Sequence, residues 1–130
     1  MMAVDASAIL AILLKEDDAD LYASALASAD GGVISAVSYW EVLVRAEIVF
    51  GAEAEHQVER VLRGGEILIA SADADSAHRA ARAFKRFRAR PGGRLNLGDC
   101  FAYALAEREG DGLLYKGDDF PKTDVKSALS

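Results

Sequence analysis

The sequence predicts an α/β domain built on a parallel sheet covered by helices on both faces. Three observations lead there: a length suited to one core, short apolar strands alternating with helices, and acidic residues placed directly after the strands. The 130 residues, 52% of them hydrophobic, suffice for one core, whereas two domains would each be too small. Two prolines and 11 scattered glycines leave no linker-like or low-complexity stretch. No internal repeat is present, so residues 1–130 read as one domain.

Taken in order, Ala3-Val4 forms a short apolar strand ending at Asp5, and Ser7 to Leu14 reads as a helix opening beside it. Asp17 to Ala29 carries Leu21, Tyr22 and Leu26 at helical spacing until Gly31-Gly32 breaks it. A second strand spans Val33 to Ser35. Ser38 has the chemistry of an N-cap and Glu41 stands three residues on, the spacing of a capping box, so a helix is expected over Tyr39 to Phe50, ended by Gly51. Ala52 to Leu62 gives a further helix, stopped by Gly64-Gly65, and Glu66 to Ala70 is the clearest strand. Asp73 and Asp75 open a long basic helix to about Arg90, which Pro91-Gly92-Gly93 terminates. Leu95 to Gly98 reads as a loop before a helix from Asp99 to Glu109. Leu113 to Tyr115 is the last buried strand, with a short extra one near Val125. Strands alternating with helices favour a parallel sheet, and such sheets gather function at the strands' carboxyl ends. Asp5, Ser35 with the helix carrying Glu41, and Asp118 with Asp119 all follow strands.

Composition excludes several classes. The longest apolar run, Ala8 to Leu14, has seven residues, far short of the about 20 that cross a bilayer. The start lacks the basic region and cleavage site of a secretory signal, so a cytoplasmic location is expected. The lone Cys100 can form neither an internal disulfide nor a thiolate cluster and reads as small buried filler. The net charge of −6 disfavours indiscriminate binding to polyanions, yet its distribution is uneven. Seven basic residues and no acid lie between His78 and Gly98 (Arg79, Arg82, Lys85, Arg86, Arg88, Arg90, Arg94), leaving 8 basic against 21 acidic residues elsewhere. One basic strip on an otherwise acidic surface is the expected result.

Asp5, Glu41, Asp99 and Asp118 each stand in apolar surroundings, such as Ala-Val-Asp-Ala-Ser-Ala-Ile-Leu and Tyr-Trp-Glu-Val-Leu-Val. Buried carboxylates are costly unless paired or bound to a cation, and several in one place repel each other. A divalent metal relieves both costs. Oxygen ligands without nearby His or Cys favour Mg²⁺ or Mn²⁺, ions suited to phosphodiester hydrolysis by an activated water. Each acid also has a structural reading: Asp5 as a helix cap, Glu41 as partner of Ser38, Asp99 as a dipole-favoured residue at a helix start, and Asp118 and Asp119 as turn residues. Their joint pattern carries the functional reading.

The segments Val4 to Leu10, Ser35 to Leu43, Leu95 to Ala106 and Leu113 to Phe120 resemble the four signature regions of PIN domains, in the order and spacing of the VapC toxins of VapBC toxin–antitoxin pairs. The resemblance implies a three-layer α/β/α sandwich with a parallel sheet of four or five short strands. It implies a homodimer, a Mg²⁺- or Mn²⁺-dependent endoribonuclease acting on RNA, and a cognate VapB-type antitoxin. By position, Asp5, Glu41 and Asp99 match the first three metal-site acids and Asp118 the fourth, with Asp119 a competitor for that place. Ser7 matches the hydroxyl that orients the first acid or its water, while Ala6 stands where a threonine is usual. Lys85, Arg86, Arg88, Arg90 and Arg94 are the expected RNA-backbone contacts, with an antitoxin dock or a solvated face as the alternative. His56 and His78 lie far from all four motifs and need no catalytic role.

Three other readings compete. A phosphoacceptor signalling domain would explain Lys116 near a late strand, but its phosphoacceptor should end the middle strand, and Ile67-Leu68-Ile69-Ala70 runs into Ser71. A catalytically inactive PIN-like module that only binds RNA or protein conflicts with the intact acid set. A flap-type DNA nuclease would need long insertions that this chain lacks.

Overall fold

The computed structural model describes residues 1–88 and 95–129. Four parallel strands, β1 (Met2–Val4), β2 (Gly32–Ser35), β3 (Ile67–Ala70) and β4 (Leu113–Leu114), lie in the order β3-β2-β1-β4. Ala3 pairs with Val33 on one side and with Leu113 on the other, so β1 is central. The expected extra strand near Val125 is instead an isolated bridge between Leu113 and Ser127. Only one residue reaches pairing geometry there, because Thr123 turns the chain back on Phe120 just before it.

The two-residue period of the strands divides the core. Met2, Val4, Ile34, Ile67 and Leu114 face α1 (Ala6–Leu13), α2 (Ala19–Ser28), α3 (Ala36–Phe50) and α4 (Ala54–Gly64). Ala3, Val33 and Leu113 face α5 (Ala74–Phe87) and α6 (Leu97–Glu109). Alternation in the sequence thus becomes three layers. Ile9, Ile34, Leu113 and Leu114 are wholly buried, each contributing roughly 1.5–3 kcal/mol, so the sheet centre is the most strongly fixed part of the molecule. Coverage stops at β3, where Leu68 and Ile69 remain exposed on an edge strand.

Strand order also fixes where a site can form. The connections β1 to β2 and β2 to β3 run through the α1–α4 layer, whereas β3 to β4 runs through α5 and α6 on the opposite face. The chain therefore reverses direction across the sheet at β1 and β4, and the crevice beyond their carboxyl ends is where open α/β sheets bind ligands.

Two helix starts differ from the expectation. Ser35, the last residue of β2, is the N-cap of α3, accepting a bond from Val37 N–H at 3.1 Å. Ser38 lies inside the helix, fully buried, and its hydroxyl has no partner among the described residues, so the Ser38–Glu41 capping box does not form. Likewise α6 begins at Leu97, with Asn96 as N-cap and Asp99 as its reciprocal partner in a capping box. Residues 95–98 are therefore only partly loop. At the other end Gly110, at φ +84°, takes the left-handed conformation that closes α6. α5 is capped by Asp73 and is described to Phe87. The Pro91-Gly92-Gly93 turn, Arg90 and Arg94 lie outside the described residues.

Candidate active site

Asp5 leaves β1 at the reversal point, its N–H bonded to Leu114 O at 2.9 Å. Its side chain caps α1: Oδ2 accepts from Ser7 N–H at 3.0 Å and from Ser7 Oγ–H at 2.6 Å. Ser7 Oγ in turn accepts Lys116 N–H at 2.9 Å. The exit of β4, Ser7 and Asp5 are thus one hydrogen-bonded chain that fixes one carboxylate oxygen of Asp5 and leaves the other outside it. Burial raises the Asp5 carboxyl above its usual range, partly offset by the Ser7 bonds, and the charge of Asp119 adds to the rise.

Asp99, in the first turn of α6, accepts Asn96 N–H at 3.3 Å and donates its own N–H to Asn96 Oδ1 at 2.7 Å. Burial pushes its carboxyl up to about 7, with Asp5, Asp119 and Glu41 adding repulsion. Glu41 projects from α3 onto the same turn of α6. An ideal Cβ placed on Gly98 would lie 2.0 Å from Glu41 Oε1. Burial raises the Glu41 carboxyl too, followed by the charge of Asp5.

Four acids distant in sequence therefore act on one another. The charges that raise Asp5, Glu41 and Asp99 are those of other carboxylates, a repulsion that a divalent cation would relieve. Among the described residues no three acids stand close enough to enclose an ion directly. Mg²⁺ retains several waters and needs only one or two carboxylates in contact, so an open ring of acids with no His or Cys donor fits such an ion. Asp5, Glu41 and Asp99 are the residues that could hold it. Of the doubled acids after β4, both exposed, Asp119 is one whose charge adds to the rise of Asp5 and Asp99.

The surrounding residues sort by what they touch. Lys116 turns its amine away from the acids to Glu16 at 2.6 Å and Asp18 at 2.9 Å, bracing the β4 exit against the α1–α2 connection. It is thus unavailable for the role a phosphoacceptor domain would need. Arg86 is tied to Asp124 at 2.7 Å and to the Tyr103 hydroxyl at 3.1 Å, and the aspartate offsets its charge; Lys85 on α5 and Arg88 at its C-terminal cap are also exposed. His56 and His78 are exposed on helices, and Cys100 is buried with its thiol raised to about 11, a packing residue as expected. Asn96 is not among the site residues expected from the sequence, although Asn96-x-x-Asp99 carries the spacing of a capping box.

An acid-lined crevice at the carboxyl edge of a parallel, three-layer α/β sheet is the arrangement of a PIN domain, and the family model for the PIN domain matches residues 2–126. The chain belongs to the PIN domain family. It is similar to curated proteins named Ribonuclease VapC of Mycolicibacterium smegmatis, at 38% identity over 95% of this chain and 97% of that protein, and Ribonuclease VapC28 of Mycobacterium tuberculosis, at 44% identity over 98% of each. Among solved structures, Mycobacterium tuberculosis VapC20, described as a Sarcin-Ricin loop cleaving toxin, shares the fold with a TM-score of 0.76 and 13% identity, covering 97% of both chains. No helix among the described residues is long and apolar enough to cross a membrane.

Proposed function

We propose that this chain is the toxin of a type II toxin–antitoxin pair, a divalent-metal-dependent endoribonuclease acting on RNA in the cytoplasm and restrained by a cognate VapB-type antitoxin. The observation that carries the proposal is the mutual repulsion of Asp5, Glu41, Asp99 and Asp119 at the reversal point of a sheet whose sequence matches the PIN model and the VapC ribonucleases.

Mg²⁺ or Mn²⁺, when bound, would supply a water acidic enough to attack at neutral pH and a positive charge to stabilise the phosphate. Asp5, Glu41 and Asp99 would hold the ion partly through its waters, with Asp118 or Asp119 as the fourth acid and the charge of Asp119 on Asp5 and Asp99 favouring the latter. Ser7 holds one Asp5 oxygen by its backbone and hydroxyl, which restrains rotation of the whole carboxylate. Asn96 sets Asp99 in the same way from the start of α6. Exposed Lys85 on α5 and Arg88 at its C-terminal end contact the RNA backbone. The working unit is a homodimer.

Purified wild-type, Asp5→Asn and Asp99→Asn chains incubated with RNA and Mn²⁺ test the proposal. Cleavage is expected from the wild type, ending on chelation, and neither variant should cleave while both stay folded. Undiminished cleavage by both variants would refute the assignment.

A further inference from the structure

We infer that Gly98 is a positioning residue for metal binding: its missing side chain is the seat in which the Glu41 carboxylate rests. This rests on the metal-site reading above and goes beyond it, because Gly98 donates nothing to an ion itself.

The geometry is specific. The nearest atoms to a Cβ built on Gly98 all belong to Glu41: Oε1 at 2.0 Å, Cδ at 2.8 Å and Oε2 at 3.2 Å. The first two separations are far inside non-bonded contact, so no residue with a side chain can occupy position 98 while Glu41 stays where it is. The backbone does not explain the glycine. Gly98 lies in the first turn of α6 and has no left-handed φ. Glycine is moreover among the poorest helix formers, whereas alanine is the best.

The kind of clash matters as much as its size. What alanine meets is the far end of a flexible side chain rather than backbone or packed core. Glu41 can swing aside by rotating about its own bonds, at little cost to the fold, but it then leaves the first turn of α6, where Asp99 stands one residue away. A methyl group at position 98 therefore separates two things usually lost together, keeping stability and removing one acid from the site. Shortening Glu41 by one methylene withdraws its carboxylate from the added methyl, so Glu41→Asp should partly compensate.

The test is Mn²⁺ binding without RNA, followed by electron paramagnetic resonance on the full chain, together with thermal melts of the metal-free proteins. Gly98→Ala is expected to weaken Mn²⁺ binding at least tenfold, approaching Glu41→Ala, while melting no lower than wild type. Gly98→Ala/Glu41→Asp should bind at least threefold more tightly than Gly98→Ala. Binding by Gly98→Ala within twofold of wild type overturns the inference and leaves the metal site standing. Loss of binding with a melting point many degrees lower, and no recovery in the double variant, also overturns it, since that is the mark of a purely structural glycine. A wild-type chain that binds no Mn²⁺ overturns the metal reading itself, and this inference with it.

Discussion

Asp99 shows how burial and charge combine in one side chain. Its carboxyl is raised from the ordinary 3.8 to about 7, first by burial and then by Asp5. In the metal-free protein the folded state therefore keeps a proton that the unfolded chain has released between about pH 4 and pH 7. A group of this kind removes stability as pH rises through that window, at about 1.4 kcal/mol for each unit of displacement. Asp5 and Glu41 are raised as well and act with the same sign. Calorimetric melts of the metal-free protein should accordingly fall between pH 5 and pH 8, and Asp99→Asn should flatten the fall. Addition of Mg²⁺ at pH 8 should restore the lost stability. A wild-type melting point that climbs from pH 5 to pH 8 would contradict this picture of the site.

At the scale of elements, most boundaries were legible because periodicity and punctuation agreed. The apolar runs of β2 and β3 and the glycines that end the helices are examples, and Asp5 was placed correctly because a strand end and a cap fall on the same residue. The start of α3 was not legible. Ser35 and Ser38 are both competent caps, and Ser38-x-x-Glu41 has the better motif, but β2 passes into α3 without a loop. Ser35 is therefore both the last paired residue and the cap, and Glu41 is drawn away to Gly98. That contact, and the choice between Asp118 and Asp119, depend on how α3, α6 and the β4 exit meet, which no local pattern encodes. The two serines are separable by experiment. Ser35→Ala should cost about 1 kcal/mol through the lost cap, whereas Ser38→Ala removes a buried hydroxyl that has no partner among the described residues and should be neutral or stabilising. Denaturant melts that show the reverse order would restore the Ser38 cap.

Over the whole molecule the charge is divided. The acidic crevice would repel RNA unless a metal occupied it, and the net charge of −6 adds to that repulsion. Attraction must come from a local basic surface, and exposed Lys85 and Arg88 are the described candidates, since Arg86 is already engaged by Asp124. The double variant Lys85→Glu/Arg88→Glu should weaken RNA binding at low salt, with a shallower salt dependence and unchanged Mn²⁺ affinity. An unaltered salt slope in filter-binding measurements would assign the strip to another role. The remaining exposed surface includes an apolar stripe on α3, Trp40, Val44 and Ile48, which are 63%, 41% and 75% exposed at successive turns while Ser38, Val42 and Ala46 face inward. Because α3 carries apolar residues on both faces, which face the core takes is set by tertiary packing rather than by the helix's own pattern.

The convergence of the acids on a hard dication is most directly tested by the anomalous difference map of a crystal soaked in Mn²⁺. A peak within coordinating distance of Asp5, Glu41 or Asp99, and bounded by all three, is the expected result. A map with no peak in that crevice, from crystals in which Mn²⁺ is bound elsewhere, would contradict it.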